Sequence, residues 1–387
     1  MPTLDLPVAG GHIASYATRP PRTFAAAQPP FNRIAYAAVH VVADPLAEQD
    51  PWLDCAIDWD RTLAVRRHLW SLGLGVAEAM DTAQRGKGLD WATALELIGR
   101  SIDASRDHPS ARLASGAGTD HLRPGPDVTV DDVIRAYEEQ CGAIEKLGGR
   151  IVLMASRALA AAARSPDDYL KVYARLLGQV RQPVIIHWLG EMFDPALSGY
   201  WGHADHHQAM EVALDVITAH ADKVDGVKVS LLDADREIAM RRRLPQGARM
   251  YTGDDFNFAG LIAGDDQGYS DALLGIFDAI APAAAAALGA LSRGDEREFH
   301  DLLAPTVPLS RHIFAAPTWC YKTGVVFMAY LNGLQDHFVM VGGQESARST
   351  LHLAELFRLA DAAGLIADPD LAAARMRHVM ATRGVRP

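Results

Sequence analysis

Lys228 stands in the stretch Val224-Asp225-Gly226-Val227-Lys228-Val229-Ser230, where the β-branched residues Val224, Val227 and Val229 predict a short strand. An ammonium on a mostly apolar strand is costly to bury unless it is paired or used. Desolvation lowers its pKa and yields a neutral amine that can attack a carbonyl. Two readings follow: Lys228 forms a Schiff base, or it is an edge-strand lysine with its head in solvent. Schiff-base chemistry also needs a general base that titrates near neutral pH. His187, in the apolar run 184–189 that precedes the lysine stretch, is the first candidate, and Glu191 the second. A core histidine bonded to a backbone carbonyl is the plainer account of His187.

These residues need a frame to present them. From residue 33 the chain alternates short apolar runs with helical periods. Strands are predicted at 34–42, 74–77, 112–117, 150–155, 184–189, 224–230, 249–252 and 272–278. Helices are predicted after them at 60–72, 91–104, 129–147, 166–177, 206–219, 234–243, 256–263 and 282–291. Thr129 is an N-cap with Asp131 and Asp132 in the first turn, and Ser165-Pro166 opens the following helix. Eight strand–helix repeats over about 250 residues favour a (β/α)8 TIM barrel over an open doubly wound sheet. Residues 1–31 are rich in Pro, Ala and Thr and read as an N-terminal arm packed on the body or on a partner subunit. The barrel is expected over 32–294. Residues 295–387 carry only helical patterns, which predicts a C-terminal helical subdomain.

In such a barrel the reactive groups stand at the C-terminal ends of the strands. Those positions hold Glu78, Asp81 and Thr82 after the second strand, Ser115 and Asp120 around the third, Arg157 after the fourth, Trp188 on the fifth and Asp254 after the seventh. These are the candidate substrate contacts, each alternatively a solvated loop residue. Asp254 is alternatively a helix N-cap.

The order of motifs carries a resemblance. Gly226-Val227-Lys228 is followed by Thr252-Gly253-Asp254-Asp255, then Ala281-Pro282, Gly294-Asp295 and Ala316-Pro317-Thr318-Trp319. Ser115-Gly116-Ala117-Gly118-Thr119 stands earlier. This arrangement resembles the dihydrodipicolinate synthase/N-acetylneuraminate lyase family of class I aldolase-type barrels, in particular a bacterial branch described as dihydrodipicolinate-synthase-like. The resemblance implies a Schiff-base lysine at Lys228, a lyase acting on a carbonyl compound, and a homo-oligomer. The departures are local. Glu78-Ala79-Met80-Asp81-Thr82 replaces the family's Gly-Thr-Thr-Gly-Glu loop, and Ser156-Arg157-Ala158 stands where the family has a proton-relaying tyrosine. His187-Trp188-Leu189-Gly190 ends the fifth strand, and Val229 replaces the glutamate after the lysine. Carboxylates where a keto-acid carboxylate would bind repel it. Together with Trp188 and Trp201, whose indoles can stack on sugar faces, they point to a keto-sugar or sugar-derived substrate rather than pyruvate.

Two other readings stay open. His187, Glu191, His203 and His206 can ligate a divalent metal, as in a metal-dependent sugar isomerase or lyase. A barrel can also bind a sugar without chemistry. Otherwise no cofactor is expected. The net charge of −11 argues against nucleic acid as a partner. No apolar run approaches the ~20 residues that span a bilayer, and no secretory signal is visible. Three well-separated cysteines, with no CxxC, suit a reduced cytoplasm.

Overall fold

The computed structural model describes residues 1–26 and 29–385. Residues 27 and 28 of the expected arm, and 386 and 387 of the expected helical subdomain, lie outside them. Eight parallel strands close into a barrel: β3 (Ala35–Ala38), β4 (Gly75–Glu78), β5 (Leu113–Ala117), β6 (Ile151–Leu153), β7 (Val184–Leu189), β8 (Val224–Ser230), β9 (Arg249–Thr252) and β10 (Asp271–Leu274). β10 pairs with β3 and completes the ring. The helices around it include α1 (Trp59–Ser71), α2 (Trp91–Ser105), α3 (Val130–Lys146), α4 (Arg157–Ala162), α5 (Pro166–Leu177) and α6 (His206–Ala219). They continue with α7 (Ala234–Arg241), α8 (Phe258–Ala263), α9 (Ile276–Ala279) and α10 (Ala281–Ser292). The expected (β/α)8 barrel is therefore the observed fold. Thr129 caps α3 in a capping box with Asp132, an arrangement worth about 1 kcal/mol.

Two strand ends fall four residues short of expectation. The first strand stops at Ala38 rather than residue 42, and β10 stops at Leu274 rather than residue 278. In the second case the Ile276 amide donates to the Asp255 carboxylate at 2.9 Å, which caps a new turn and starts α9. A continuous apolar run such as 272–278 does not by itself separate strand from buried helix.

Strand side chains alternate between the barrel interior and the helical layer. Tyr36, Ala114, Val152, Ile185, Tyr251 and Leu273 fill the interior. Ile186, Trp188, Val227 and Val229 belong to the outer core under the helices. This parity leaves Gly226, Lys228 and Ser230 facing inward on β8.

Beyond the barrel come α11 (Glu296–Leu303), α12 (Thr306–Ile313), α13 (Tyr321–Leu331), α14 (Thr350–Ala362) and α15 (Pro369–Thr382). Every residue of α13 is buried, and the helix packs on α9 just after the last barrel strand. The N-terminal residues begin with a strand pair. β1 (Thr3–Val8) and β2 (His12–Ala17) form an antiparallel hairpin, and β1 packs on α14 and α15. Leu4 and Leu6 are buried in period two, a pattern too short to stand out in a Pro- and Ala-rich segment. Tyr16 donates to Asp361 at 2.7 Å, and Arg358 donates to the Pro7 carbonyl at 2.8 Å. Among the described residues no helix is long and apolar enough to cross a membrane.

Candidate active site

Lys228 lies opposite His187 in the β7–β8 register and opposite Tyr251 in the β8–β9 register. Its side chain is 7 % exposed. Burial pushes its ammonium below the ordinary lysine range, against the nearby charges of Asp255 and Asp81, which raise it. Asp255 is the complementary group. Burial pushes its carboxyl up to about 7, against the Ile276 amide and the charge of Lys228, which lower it. A lysine driven down and a carboxyl driven up on the walls of one chamber are the kind of opposed shifts that acid–base sites carry.

The chamber around Lys228 is lined by Asp81, Thr82, Ser230, Asp255 and Tyr321, among others, and has a volume of about 10 Å³, room for roughly one water. The Tyr321 hydroxyl lies 2.8 Å from Thr82 Oγ1, and its ring stacks on Phe314 at 4.4 Å. Burial raises the Tyr321 phenol well above its ordinary value, so it keeps its proton. A second chamber of about 60 Å³ adjoins the first, with Asp81 and Leu189 on both walls. Asp120, Ser156, Arg157, His187 and Asp194 line it.

Gly253 makes the Lys228 chamber possible. A Cβ there would fall 2.8 Å from Lys228 Cε, 2.2 Å from Ser230 Oγ and 2.7 Å from the Val229 carbonyl. Gly253→Ala should therefore displace the lysine and lower the rate of its capture by carbonyl compounds at least tenfold, roughly the effect of misplacing a reacting group by about 1 Å. Reductive trapping followed by mass spectrometry reads this directly. An unchanged capture rate would show that Lys228 tolerates displacement.

His187 is fully buried. Its Nε2 lies 3.3 Å from Ser230 Oγ, and its Nδ1 has no partner among the described residues. Burial, and next the charge of Lys228, hold its pKa well below the ordinary value, so the ring is a neutral acceptor. Asp81, Thr82, Asp120 and Arg157 also stand on the chamber walls. Asp120 is engaged by Arg85 at 2.5 Å and by Gln140 at 3.0 Å. Burial raises its carboxyl, but these partners outweigh that and hold it low.

Four expected contacts and one expected base, Glu191, are corrected. Glu78 turns outward and forms a fully buried pair with Arg66 of α1 at 2.8 Å, with Ser101 of α2 at 2.6 Å on the same carboxylate. Ser115 pairs in register with Glu78, is fully buried, and lines neither chamber. Trp188 cannot share an inward face with His187, because neighbours on a strand alternate. It packs edge-on against Trp201, 6.3 Å between ring centres, so neither indole is free for a sugar. Asp254 accepts from the Phe256 and Asn257 amides and the Asn257 side chain, which makes it a turn residue. Glu191 lines neither chamber; it lies 3.3 Å from His206 Nε2, whose Nδ1 meets Arg236. The metal reading loses its geometry by the same facts. Among the described residues no three His, Cys, Asp or Glu side chains converge to hold an ion, and His187, Glu191, His203 and His206 do not form a set.

Asp255, Tyr321, Ser230 and Asp194 were not singled out from the sequence. Parity along the Gly253-Asp254-Asp255 run could have pointed to Asp255 over Asp254. Tyr321 lies far along the chain with no motif to place it.

The fold and this site define a class: a (β/α)8 barrel with a buried lysine on the sixth barrel strand and a helical C-terminal cover. The chain belongs to the family described as "Protein of unknown function (DUF993)", whose model matches residues 4–385. A search of curated proteins returned no match. Among solved structures, the chain resembles dihydrodipicolinate synthase from Oceanobacillus iheyensis at 16% identity and TM-score 0.62, over 85% of this chain and 96% of that one. It also resembles the chloride-inhibited dihydrodipicolinate synthase from Acinetobacter baumannii complexed with pyruvate, at 16% identity and TM-score 0.63, over 86% and 99% of the two chains. A third similar structure is YagE, an E. coli K12 prophage protein of the dihydrodipicolinic acid synthase family in complex with pyruvate, at 12% identity and TM-score 0.64, over 92% and 99%. At these identities the likeness is one of fold.

Proposed function

We propose that the protein is a Schiff-base lyase or aldolase that acts on a sugar-derived carbonyl compound through Lys228. The observation that carries this reading is the buried Lys228 ammonium beside Asp255 in a chamber at the C-terminal mouth of the barrel. Neutral Nζ attacks the carbonyl carbon, and the carbonyl oxygen leaves as water, giving an iminium. The iminium then accepts the electron pair of the bond between its α- and β-carbons as a base removes the β-hydroxyl proton. An aldehyde departs and an enamine remains. Asp255 is the proposed group that takes and returns protons at the nitrogen, and the Thr82–Tyr321 hydroxyl pair the proposed donor to the departing oxygen. His187, neutral and with a free Nδ1, is the proposed acceptor on the side of the larger chamber. Asp81, Thr82, Asp120 and Arg157 are the proposed substrate contacts. The three free cysteines support a reducing, cytoplasmic setting, and the family resemblance supports a homo-oligomer.

The test is borohydride trapping with 2-keto acids, keto-sugars and aldoses, followed by peptide mapping. A substrate-sized adduct on Lys228 is expected with a keto-sugar derivative. Absence of an adduct with every carbonyl compound would overturn the reading.

The lysine–carboxylate coupling gives a pH prediction with a definite sign. Asp255 raises the lysine pKa, so Asp255→Asn should lower it further. Capture of carbonyl compounds by Lys228, followed with cyanoborohydride against pH, should then have its midpoint at lower pH in the variant. A midpoint that stays in place would show that Asp255 does not tune the lysine.

A further inference from the structure

Lys322 breaks three physical preferences at once. It lies in the first turn of α13, where the helix dipole disfavours a cation. It is 3 % exposed, although lysine is rarely buried without a partner. Its Nζ donates to one neutral acceptor, the Trp319 carbonyl, at 3.3 Å. A residue that violates several local rules together marks either strain or function.

Its neighbours are charged. Lys322, Lys87, Arg157, Asp81 and Asp194 lie within electrostatic reach of one another, which makes three cations against two carboxylates. Arg157 Nε is held by Asp194 at 2.5 Å, and both line the larger chamber with Asp81. Gly86 leaves room for this guanidinium, since a Cβ there would fall 2.9 Å from its Nη1. The Lys87 ammonium sits 5.8 Å from the Trp319 ring centre. Burial pushes Lys322 down to about 8, against Asp81, and pushes Lys87 down as well, against Asp194.

We propose that Lys322, Lys87 and Arg157 form an oxyanion subsite beside the larger chamber, which Arg157 lines, and that the substrate is an anionic sugar derivative whose carboxylate or phosphate binds there while its carbonyl reaches Lys228. The inference rests on the Schiff-base reading for the carbonyl end only; the anion subsite stands on its own residues. Asp194 orients Arg157, and the two carboxylates together leave one positive charge over. An incoming oxyanion supplies the missing acceptor for the Lys322 donors and becomes stronger in the drier chamber. The carboxylates of the 78–82 segment therefore do not exclude an acid: of the two, Glu78 is spent on Arg66 and Asp81 is outnumbered.

The experiment titrates inorganic phosphate and, separately, acetate into the full-length protein by calorimetry, in wild type and in Lys322→Met and Lys87→Met. At least one anion should bind the wild type, and each substitution should weaken it about tenfold or more. Phosphate alone would assign a phosphorylated substrate, acetate alone a sugar acid. No binding of either anion, or binding untouched by both substitutions, would overturn the proposal. Lys87 is only half-buried, so its variant keeps the test sound if Lys322→Met folds poorly. In parallel, fructose and fructose 6-phosphate are compared by trapping on Lys228. Loss of all trapping with anion binding intact would sink the Schiff-base reading and leave the subsite standing.

Discussion

Lys228→Met should abolish reductive capture of every carbonyl compound and lower turnover by roughly a thousandfold or more, the scale on which removing a catalytic nucleophile acts. It should do so without loss of stability. The substitution removes a buried ammonium, and Asp255, already pushed up to about 7, can protonate once its partner is gone. A lysine kept for structure would behave in the opposite way: its removal would strand a buried carboxylate and the melting temperature would fall. Trapping and thermal denaturation on the same variant separate the two. A marked drop in melting temperature with trapping retained on another residue would overturn the assignment of Lys228.

The second large effect is at the buried Arg66–Glu78 pair. Arg66 also donates to the His40 carbonyl at 2.5 Å and the Thr62 carbonyl at 3.1 Å, and Glu78 Oε1 accepts the Ala79 amide at 2.8 Å. Both side chains are fully enclosed. Glu78→Ala should destabilise the protein by about 3–5 kcal/mol, because it leaves a guanidinium buried without its counter-charge. Combining it with Arg66→Met should recover much of that loss, since removing both charges is far cheaper than removing one. A substrate-binding Glu78 would instead raise KM and leave the unfolding transition in place. Denaturant titration of the single and double variants distinguishes these outcomes.

The barrel was legible because its signal repeats: eight apolar runs, each followed by a helical period, with β7, β8 and β9 at their expected bounds. Lys228 was legible because its type conflicts with its strand. Four of the misplaced residues, Glu78, Ser115, Trp188 and Asp254, share one cause, which is parity. His187 and Trp188, Asp254 and Asp255, and Ser115 and Gly116 are adjacent pairs, and in each the two members serve different layers. At β4 the chain reverses its bias after Glu78 by placing Ala79 in the left-handed region, φ 51°, a conformation costing about 1 kcal/mol for a non-glycine residue. Strand alternation sends Glu78 to the helices with Val76, while Asp81 and Thr82, past the kink, line the lysine chamber. Spacing along the chain carries no sign of it. Tyr321 and Lys322 were hidden for another reason. They come from a helix beyond the barrel, nearly a hundred residues past Lys228, and only the packing of α13 on α9 brings them to the mouth.

The hairpin of β1 and β2 has a consequence for how the chain is made. Its hydroxyl contact from Tyr16 to Asp361 spans 345 residues. At roughly 5–20 residues per second, synthesis leaves the first strands waiting about 20–70 seconds for the helices they dock on. During that interval Leu4 and Leu6 have no surface to cover them, and both edges of the hairpin are open to other strands. Chains still being made are therefore exposed to aggregation at this hairpin until the helices it docks on emerge, and a short-lived shield over it should raise yield.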